Sequence, residues 1–143
     1  MNLRESWLLF ALGSAFFAAL TALFGKLGVA GINANLATFI RTLVILVVTA
    51  GILSLRGEWA RPSGLPLNSW LFLVLSGIAT GLSWLCYFRA LQLGPVSKVA
   101  PVDKLSVAIA IVLGLLFLGE RPSLPLLIGG VLIVAGAMVI ALF

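Results

Sequence analysis

The chain has 143 residues, of which 62% are hydrophobic and 9% are charged, and its mean hydropathy is +1.25. So few charges cannot cover a water-facing surface, which excludes a soluble domain and indicates that the lipid bilayer is the solvent. One cysteine and no histidine are present, so an internal disulfide, thiol–imidazole catalysis and a metal site are not predicted. The net charge of +5 is spread between apolar runs, and no nucleic-acid partner is predicted.

Five apolar segments are each long enough to cross a bilayer, which takes about 20 residues. The first is too long for a signal peptide and lacks a small-residue cleavage site. Because the connections are short, sequential helices should be antiparallel neighbours in one all-α membrane bundle, a single domain over residues 1–143. The predicted spanning helices are residues 6–27, 36–55, 69–91, 96–118 and 124–142.

The basic residues do not define an orientation. With five helices the termini lie on opposite sides of the membrane, and we call the N-terminal side A and the other side B. Side A receives Arg4, Arg56, Arg61 and Arg121, and side B receives Lys26, Arg41, Arg89, Lys98 and Lys104. With four basic residues on one side and five on the other, the positive-inside rule predicts no orientation. Either other features fix the orientation or both orientations occur. On side A we expect interfacial ion pairs of Glu5, Glu58 and Glu120 with the neighbouring arginines.

Polar side chains follow one face of the third segment. They are spaced by four, three and four residues, at Ser76, Thr80, Ser83 and Tyr87. For a single Ser or Thr, close helix packing is the simpler explanation. For Tyr87 with Trp84, on a helix that ends near Arg89, we expect a cavity lining. Close helix packing is also predicted for Gly77 with Gly81, Ala110 with Gly114, and Gly129 with Gly136.

Arg41 is a charge inside the second predicted helix, about 7 Å along the axis from Leu36. A side chain of that length can snorkel to the side B interface, or it can bind an anionic ligand, and the sequence leaves both explanations open. Lys26, at the end of the first helix, is more simply an interfacial anchor.

The fourth segment contains Asp103 and Lys104. From Leu105 to Leu118 there are 14 apolar residues, about 21 Å of helix, whereas the hydrocarbon core is about 30 Å thick. A spanning helix must therefore include both charges. Adjacent residues of a regular helix point about 100° apart, so we predict that the two do not pair with each other. Asp103 would pair with Lys26, Arg41 or Arg89, and Lys104 with a ligand carboxylate or with Asp103 of another subunit.

Pro101 comes two residues before this pair. It has no N–H and leaves the carbonyl of Ser97 unpaired, which predicts a kink or an interruption of the helix. Broken helices at membrane depth are typical of transport sites, where freed backbone groups meet the substrate. A static kink supported by neighbouring helices is the alternative, but three unusual residues within four positions favour a site.

Several of these stretches resemble a known family. "RALQLGPVS", a proline in the next helix, "LGER" at its end and the glycine spacing of the last helix resemble the C-terminal part of an EamA domain, of the drug/metabolite transporter superfamily. "GSAFFAALTALFGKLGV" and "NANLATFIRTLVI", which includes Arg41, resemble its first two helices. The resemblance implies one five-helix EamA-type bundle, half of a ten-helix transporter, from the short single-unit bacterial and archaeal branch.

The resemblance also implies how such a unit would work. Most members look like two units fused in inverted orientation, with alternating access to a cavity between them. With nearly equal charge counts on the two sides, this implies an antiparallel homodimer, and a parallel dimer is the alternative. Related small multidrug transporters carry a first-helix glutamate for cations and protons. The predicted first helix here has no acid, which favours anionic or zwitterionic substrates.

We therefore expect a secondary transporter, an exporter of a small anionic or zwitterionic metabolite such as an amino acid, in the inner (plasma) membrane. No cofactor is predicted, and proton coupling is left open. Arg41, Lys104 and Lys26 would hold a carboxylate or phosphate. Tyr87 and Trp84 would shape the cavity, and Asp103 would bind an amine, pair with a base such as Arg89 or carry a proton. The alternative is a non-transporting membrane subunit that assembles with another membrane protein, and an enzyme is not expected because no nucleophile–base pair is visible.

Overall fold

The computed structural model describes residues 3–59 and 64–143, with side chains from Trp7 onward. No β-strand occurs in these ranges. The helices are α1 (Leu3–Gly28), α2 (Ala34–Arg56), α3 (Leu67–Leu93), α4 (Val96–Asp103), α5 (Leu105–Phe117) and α6 (Leu124–Leu142). Five stretches are long and apolar enough to cross a membrane, with α4 and α5 together forming the fourth. The prediction of an all-α, multi-pass membrane protein with five spans is confirmed.

Local capping decides where the helices begin and end. The Asn33 side chain accepts a hydrogen bond from the Asn35 N–H at 2.8 Å and starts α2 two residues earlier than predicted. Gly57 has a φ of +64°, the left-handed conformation that closes α2. Ser123 accepts from the Leu126 N–H at 3.3 Å and starts α6. These caps satisfy terminal backbone groups, which have few other partners at a membrane boundary.

Contacts divide the chain into two compact units. The first unit consists of Met1–Leu23 and Leu93–Phe143, and the second unit is Phe24–Gln92. In the first unit, α6 packs against α4 and α5, and a Cβ atom built on Gly130 would lie 3.4 Å from Cδ1 of Ile111. In the second unit the buried apolar core gathers around the end of α1 and the end of α3, where Val29 is 2% exposed, Phe88 3% and Leu91 0%. Most other large apolar side chains are exposed, as expected where lipid is the solvent.

The glycine pairs do not pack as expected. No atom of the same unit lies within 4 Å of a Cβ built on Gly77, Gly81, Gly129 or Gly136. Close packing of these four glycines against another helix of their own unit is therefore not found. Small residues permit a close approach but do not cause one, since the approach also needs a second helix on that face.

Three threonine hydroxyl groups of α2 and α3 form hydrogen bonds within their own helices. Thr38, Thr42 and Thr80 each donate to the carbonyl four residues earlier in their own helix, at 2.8 to 2.9 Å. A hydroxyl bonded in this way satisfies itself without water or a second helix. These threonines therefore give no sign of a polar cavity.

Candidate functional site

The clearest long-range contact of a charged side chain joins α2 to α3. Cζ of Arg41 lies 3.2 Å from the centroid of the Trp84 ring and 5.9 Å from that of Phe88. Arg41 is about 10 Å along α2 from Ala34 and Trp84 about 13 Å before the end of α3 at 1.5 Å per residue. The guanidinium is thus held over the Trp84 ring. Arg41 is partly buried, and a cation–π contact at an exposed site contributes about 0.5–1 kcal/mol.

Trp84, Tyr87 and Phe88, here called the aromatic cluster, share one face of α3. The spacing of three and four residues places them one turn apart. The Trp84 and Tyr87 rings meet edge to face at 5.4 Å, and the Trp84 and Phe88 rings are 5.5 Å apart. Phe88 is buried, whereas Trp84 and Tyr87 keep part of their surface exposed. The structure therefore brings Arg41, Trp84 and Tyr87 together.

The edge of the Arg41 guanidinium makes no hydrogen bond or ion pair with the described residues of its unit. An arginine side chain carries five N–H donors in a plane. Here Trp84 covers one face of that plane and leaves the edge for another acceptor. A planar edge of this kind is matched by the two oxygens of a carboxylate or phosphate.

Two other predicted site residues, Lys26 and Arg89, form hydrogen bonds with residues of the last turn of α3. The Lys26 ammonium donates to the Leu91 carbonyl, which belongs to the last turn of α3 and has no partner within the helix. Arg89 Nη1 donates to Gln92 Oε1 at 3.0 Å. We infer a structural task for both residues, in addition to any contact with a ligand.

Gln92 is a residue that the sequence reading missed. Its Nε2 donates to the carbonyls of Val29 at 3.3 Å and Ile32 at 2.6 Å, so it ties the turn between α1 and α2 to the end of α3. Gln92 is the only glutamine in the chain. The signal that would have identified it is a single amide side chain at the end of a long apolar helix.

Asp103 and Lys104 lie in the first unit, and the prediction that they do not pair is wrong. Lys104 Nζ lies 3.3 Å from Asp103 Oδ2, with 54% and 35% of the two side chains exposed. The prediction assumed a continuous helix. Instead α4 ends at Asp103 and α5 begins at Leu105, and at this break the flexible four-carbon lysine stem folds back to the neighbouring carboxylate.

The interruption lies at Lys104, while Pro101 stays inside α4. The Lys104 N–H bonds to the Pro101 carbonyl at 3.1 Å, and the Val107 N–H bonds to the Lys104 carbonyl at 3.0 Å. Both bonds span three residues, the spacing of a 3₁₀ turn, which often marks a hinge or a functional position. The ion pair therefore lies at a local tightening of the fourth span.

The expected side A pairs are found only in part. Arg56 Nη1 lies 3.8 Å from Glu58 Oε1, and both side chains are exposed, so the pair contributes little. The Glu120 carboxylate does not pair with Arg121 but folds over Gly114, with Oε2 2.8 Å from a Cβ built there. The pair of Glu5 with Arg4 lies outside the described side chains, as does Arg61. Among the described residues, no group of three or more His, Cys, Asp or Glu could hold a metal ion.

Comparisons with known proteins add the following findings. A family model described as the EamA-like transporter family matches residues 5–142. An uncharacterized transporter in the cobO 3′ region of Sinorhizobium sp is 54% identical over 141 residues, which cover 99% of this chain and 100% of that protein. An uncharacterized transporter YxxF of Bacillus subtilis (strain 168) is 31% identical over 136 residues, which cover 94% of this chain and 42% of that protein. No solved structure matches significantly.

Proposed function

Because the chain belongs to the EamA-like transporter family, we propose that it is a secondary transporter that exports a small anionic or zwitterionic metabolite, such as an amino acid, as a dimer. The family and the relatives named as transporters point to a membrane transporter and not to an enzyme. Five spans and bacterial relatives indicate the inner membrane. The charge of the substrate, the direction of transport and the dimer are the proposed part.

The observation that carries the proposed substrate charge is the open edge of Arg41. Its guanidinium is stacked 3.2 Å above Trp84 and has no acceptor among the described residues of its unit. A charged group at membrane depth is costly unless a counter-charge or water meets it. A substrate carboxylate or phosphate would supply two acceptors in the plane of the guanidinium, and the aromatic cluster would line its other side.

The ion pair of the fourth span supports a zwitterion in particular. Asp103 and Lys104 carry opposite charges on adjacent residues, and both side chains are partly exposed. A half-exposed pair of this kind is weak, so a ligand with an ammonium and a carboxylate can compete for both partners. On this proposal Asp103 and Lys104 form a separate subsite of the first unit, in which Lys104 binds an acid group and Asp103 an amine.

Alternating access is proposed to need a second unit. The Bacillus relative is aligned over 42% of its length, which leaves room for another unit of similar size in that protein. In this chain the near-equal basic counts of the two sides and the uncovered faces of Gly77 and Gly81 favour a second copy. Two oppositely inserted copies would form an inverted pair with a site near the midplane.

Transport by the purified, reconstituted protein tests the proposal. Proteoliposomes would be offered three matched sets of solutes: zwitterionic amino acids, small carboxylates or phosphates, and monovalent organic cations. We expect counterflow of the first or second set and none of the third. Replacement Arg41→Ala should lower this flux about 10- to 100-fold, the loss expected for a charge-assisted hydrogen-bonded contact.

The control is Arg56→Lys, which replaces an arginine of the same helix that forms only an exposed ion pair and keeps the basic count of side A. It should leave the flux unchanged. Flux of cations only, or an active Arg41→Ala protein, would contradict the proposed substrate charge. Absence of flux together with another membrane protein that co-purifies in fixed ratio would support the assembly subunit instead.

A further inference from the structure

Gly25 lies where α1 contacts α3. A Cβ atom built on Gly25 would lie 2.9 Å from Cε1 of Phe88 and 3.4 Å from Cδ1 of Leu91. Carbon atoms of side chains do not approach a ring carbon that closely, so any other residue at this position must displace the Phe88 ring or separate the two helices.

The surroundings leave the Phe88 ring little freedom. Phe88 is 3% exposed and Leu91 0%. The backbone beside them is tied to α1 and to the following turn, because Lys26 donates to the Leu91 carbonyl and Gln92 donates to the Val29 carbonyl. A close-packed region of this kind transmits a displacement to the next side chain instead of absorbing it.

The next side chain is Trp84. Its ring lies 5.5 Å from that of Phe88 and carries the Arg41 guanidinium at 3.2 Å. A chain of contacts thus runs from Gly25 through Phe88 and Trp84 to Arg41, and all four residues belong to the same compact unit.

We propose that Gly25 is a positioning residue for Arg41: its missing side chain seats Phe88 against α1, and Phe88 in turn holds the Trp84 ring beneath the guanidinium. The inference rests on the proposed function, in which the Arg41 edge binds the acid group of the substrate. Gly25 touches no ligand itself. It sets the plane, and therefore the direction, of the Arg41 donors.

The other glycines of the described ranges do not have this property. Only Gly25 and Gly114 would place a Cβ closer than 3.0 Å to another atom. At Gly114 that atom is a carboxylate oxygen at the end of the flexible, exposed Glu120 side chain, which can rotate away. At Gly25 it belongs to a buried ring. Gly13, on the same helix as Gly25, has nothing within 4 Å and is the matched control.

The test reads Trp84 and transport separately. In a background of Trp7→Phe, Trp59→Phe and Trp70→Phe, Trp84 is the only tryptophan, and its emission reports on the stacked guanidinium. Arg41→Ala provides the reference spectrum for the unstacked ring. Gly25→Ala should move the emission toward that reference and raise the KM for the acidic solute about tenfold, with kcat little changed, because donor direction affects binding first.

Rescue separates positioning from general damage. Adding Phe88→Leu to Gly25→Ala removes the ring carbon that a Cβ would strike, and should restore most of the emission and of the KM. Gly13→Ala should change neither. If Gly25→Ala matches Gly13→Ala in both readouts, the inference is overturned.

Two further results are decisive. If emission responds and is rescued while no variant, including the parent, transports any acidic solute, the placement of Arg41 by Gly25 stands and the proposed function fails. If Gly25→Ala protein does not accumulate in the membrane, Phe88→Ala, which removes all the bulk beside the Trp84 ring, is measured alone in the same background. It should shift the Trp84 emission, and an unchanged spectrum would contradict the inference.

Discussion

At the scale of single residues, the chemistry of this protein lies in a few charged side chains inside apolar helices. Arg41 stacks on an aromatic ring, and Lys104 pairs with the carboxylate beside it. Each contact lowers the cost of a charge in the membrane and still leaves N–H donors for another acceptor. Both positions are therefore suited to holding an acid group that arrives and leaves.

The replacement Arg41→Lys tests whether charge alone suffices at this position. Lysine keeps the positive charge but has no planar edge for two oxygens and stacks less well on Trp84. We expect a KM for the acidic solute raised about tenfold, less than the effect of Arg41→Ala, and a stable protein. Steady-state counterflow measures this, with Arg56→Lys as the control. Equal KM values for Arg41→Lys and the parent would show that Arg41 acts only as a point charge.

Exchange of the adjacent charges, Asp103→Lys with Lys104→Asp, separates a structural ion pair from a binding pair. A pair that only neutralises itself is served by either order of charges, because both orders keep opposite charges side by side. A pair that binds a zwitterion does not tolerate the exchange, because the subsites for the amine and the acid group change places. We expect normal accumulation in the membrane and a flux reduced at least about tenfold, the loss of one charge-assisted contact. Flux at the parental level would assign the pair to structure alone.

At the scale of elements, the end of α3 is held by three side chains of different chemistry. Lys26 satisfies a last-turn carbonyl, Gln92 satisfies two carbonyls of the α1–α2 turn, and Phe88 fills the space that Gly25 leaves open. In an apolar surrounding each of these carbonyls would otherwise lack a donor. The same contacts that end one helix therefore set the start of α2, the helix that carries Arg41.

The replacement Gln92→Glu tests the hydrogen bonds from Gln92 to the α1–α2 turn with almost no change in the shape of the side chain. A carboxylate still accepts the Arg89 hydrogen bond but cannot donate to the carbonyls of Val29 and Ile32. The bond to the part-buried Val29 carbonyl is the costly one to lose, since an unsatisfied buried carbonyl costs about 1–3 kcal/mol. We therefore expect a lower midpoint of thermal unfolding in detergent. Asn68→Asp, an exposed amide on the same helix, is the matched control. An unchanged midpoint would show that water replaces the Gln92 donor.

The fourth span shows how far an element can be predicted. A proline inside a helix indicates an interruption nearby, and α4 and α5 are indeed separate helices. The position of the break at Lys104, three residues after Pro101, depends on which backbone bonds form around it. The ion pair was mispredicted for the same reason, because helical spacing no longer describes neighbouring side chains where the helix ends.

For the whole molecule, we propose that two copies combine. Basic residues are almost equally divided between the predicted sides, so their count favours neither insertion. Most apolar side chains of the spans are exposed in one chain, and the faces of Gly129 and Gly136 are uncovered. Lipid or a second copy can cover them, and we propose the latter for part of this surface.

Biasing the orientation tests the antiparallel arrangement. Leu65→Lys with Leu67→Lys and Lys98→Gln changes the basic residues of the predicted sides A and B to six against four, and Leu93→Lys changes them to four against six. The three leucines are exposed. Each variant should insert mainly in one orientation and lose transport when expressed alone. Co-expression of the two should restore transport, and C-terminal labelling should report opposite sides.

The uncharged replacements Leu65→Gln with Leu67→Gln, and Leu93→Gln, are the controls, and they should transport alone with C-termini labelled from both sides. Full transport by either lysine variant on its own, with a uniform C-terminal side, would establish the parallel dimer or a single functional chain.

The sequence by itself determined the solvent, the number of spans and the family, because hydropathy, length and motif spacing are properties of the chain and need no partner in space. It also marked Arg41, Trp84 and Lys104 as unusual for their surroundings. Only the tertiary structure decided what they meet: a ring beneath Arg41, a carboxylate beside Lys104 and a buried phenyl ring against Gly25. Such contacts depend on how helices distant in sequence approach and where a helix breaks, and helical periodicity carries no information on either.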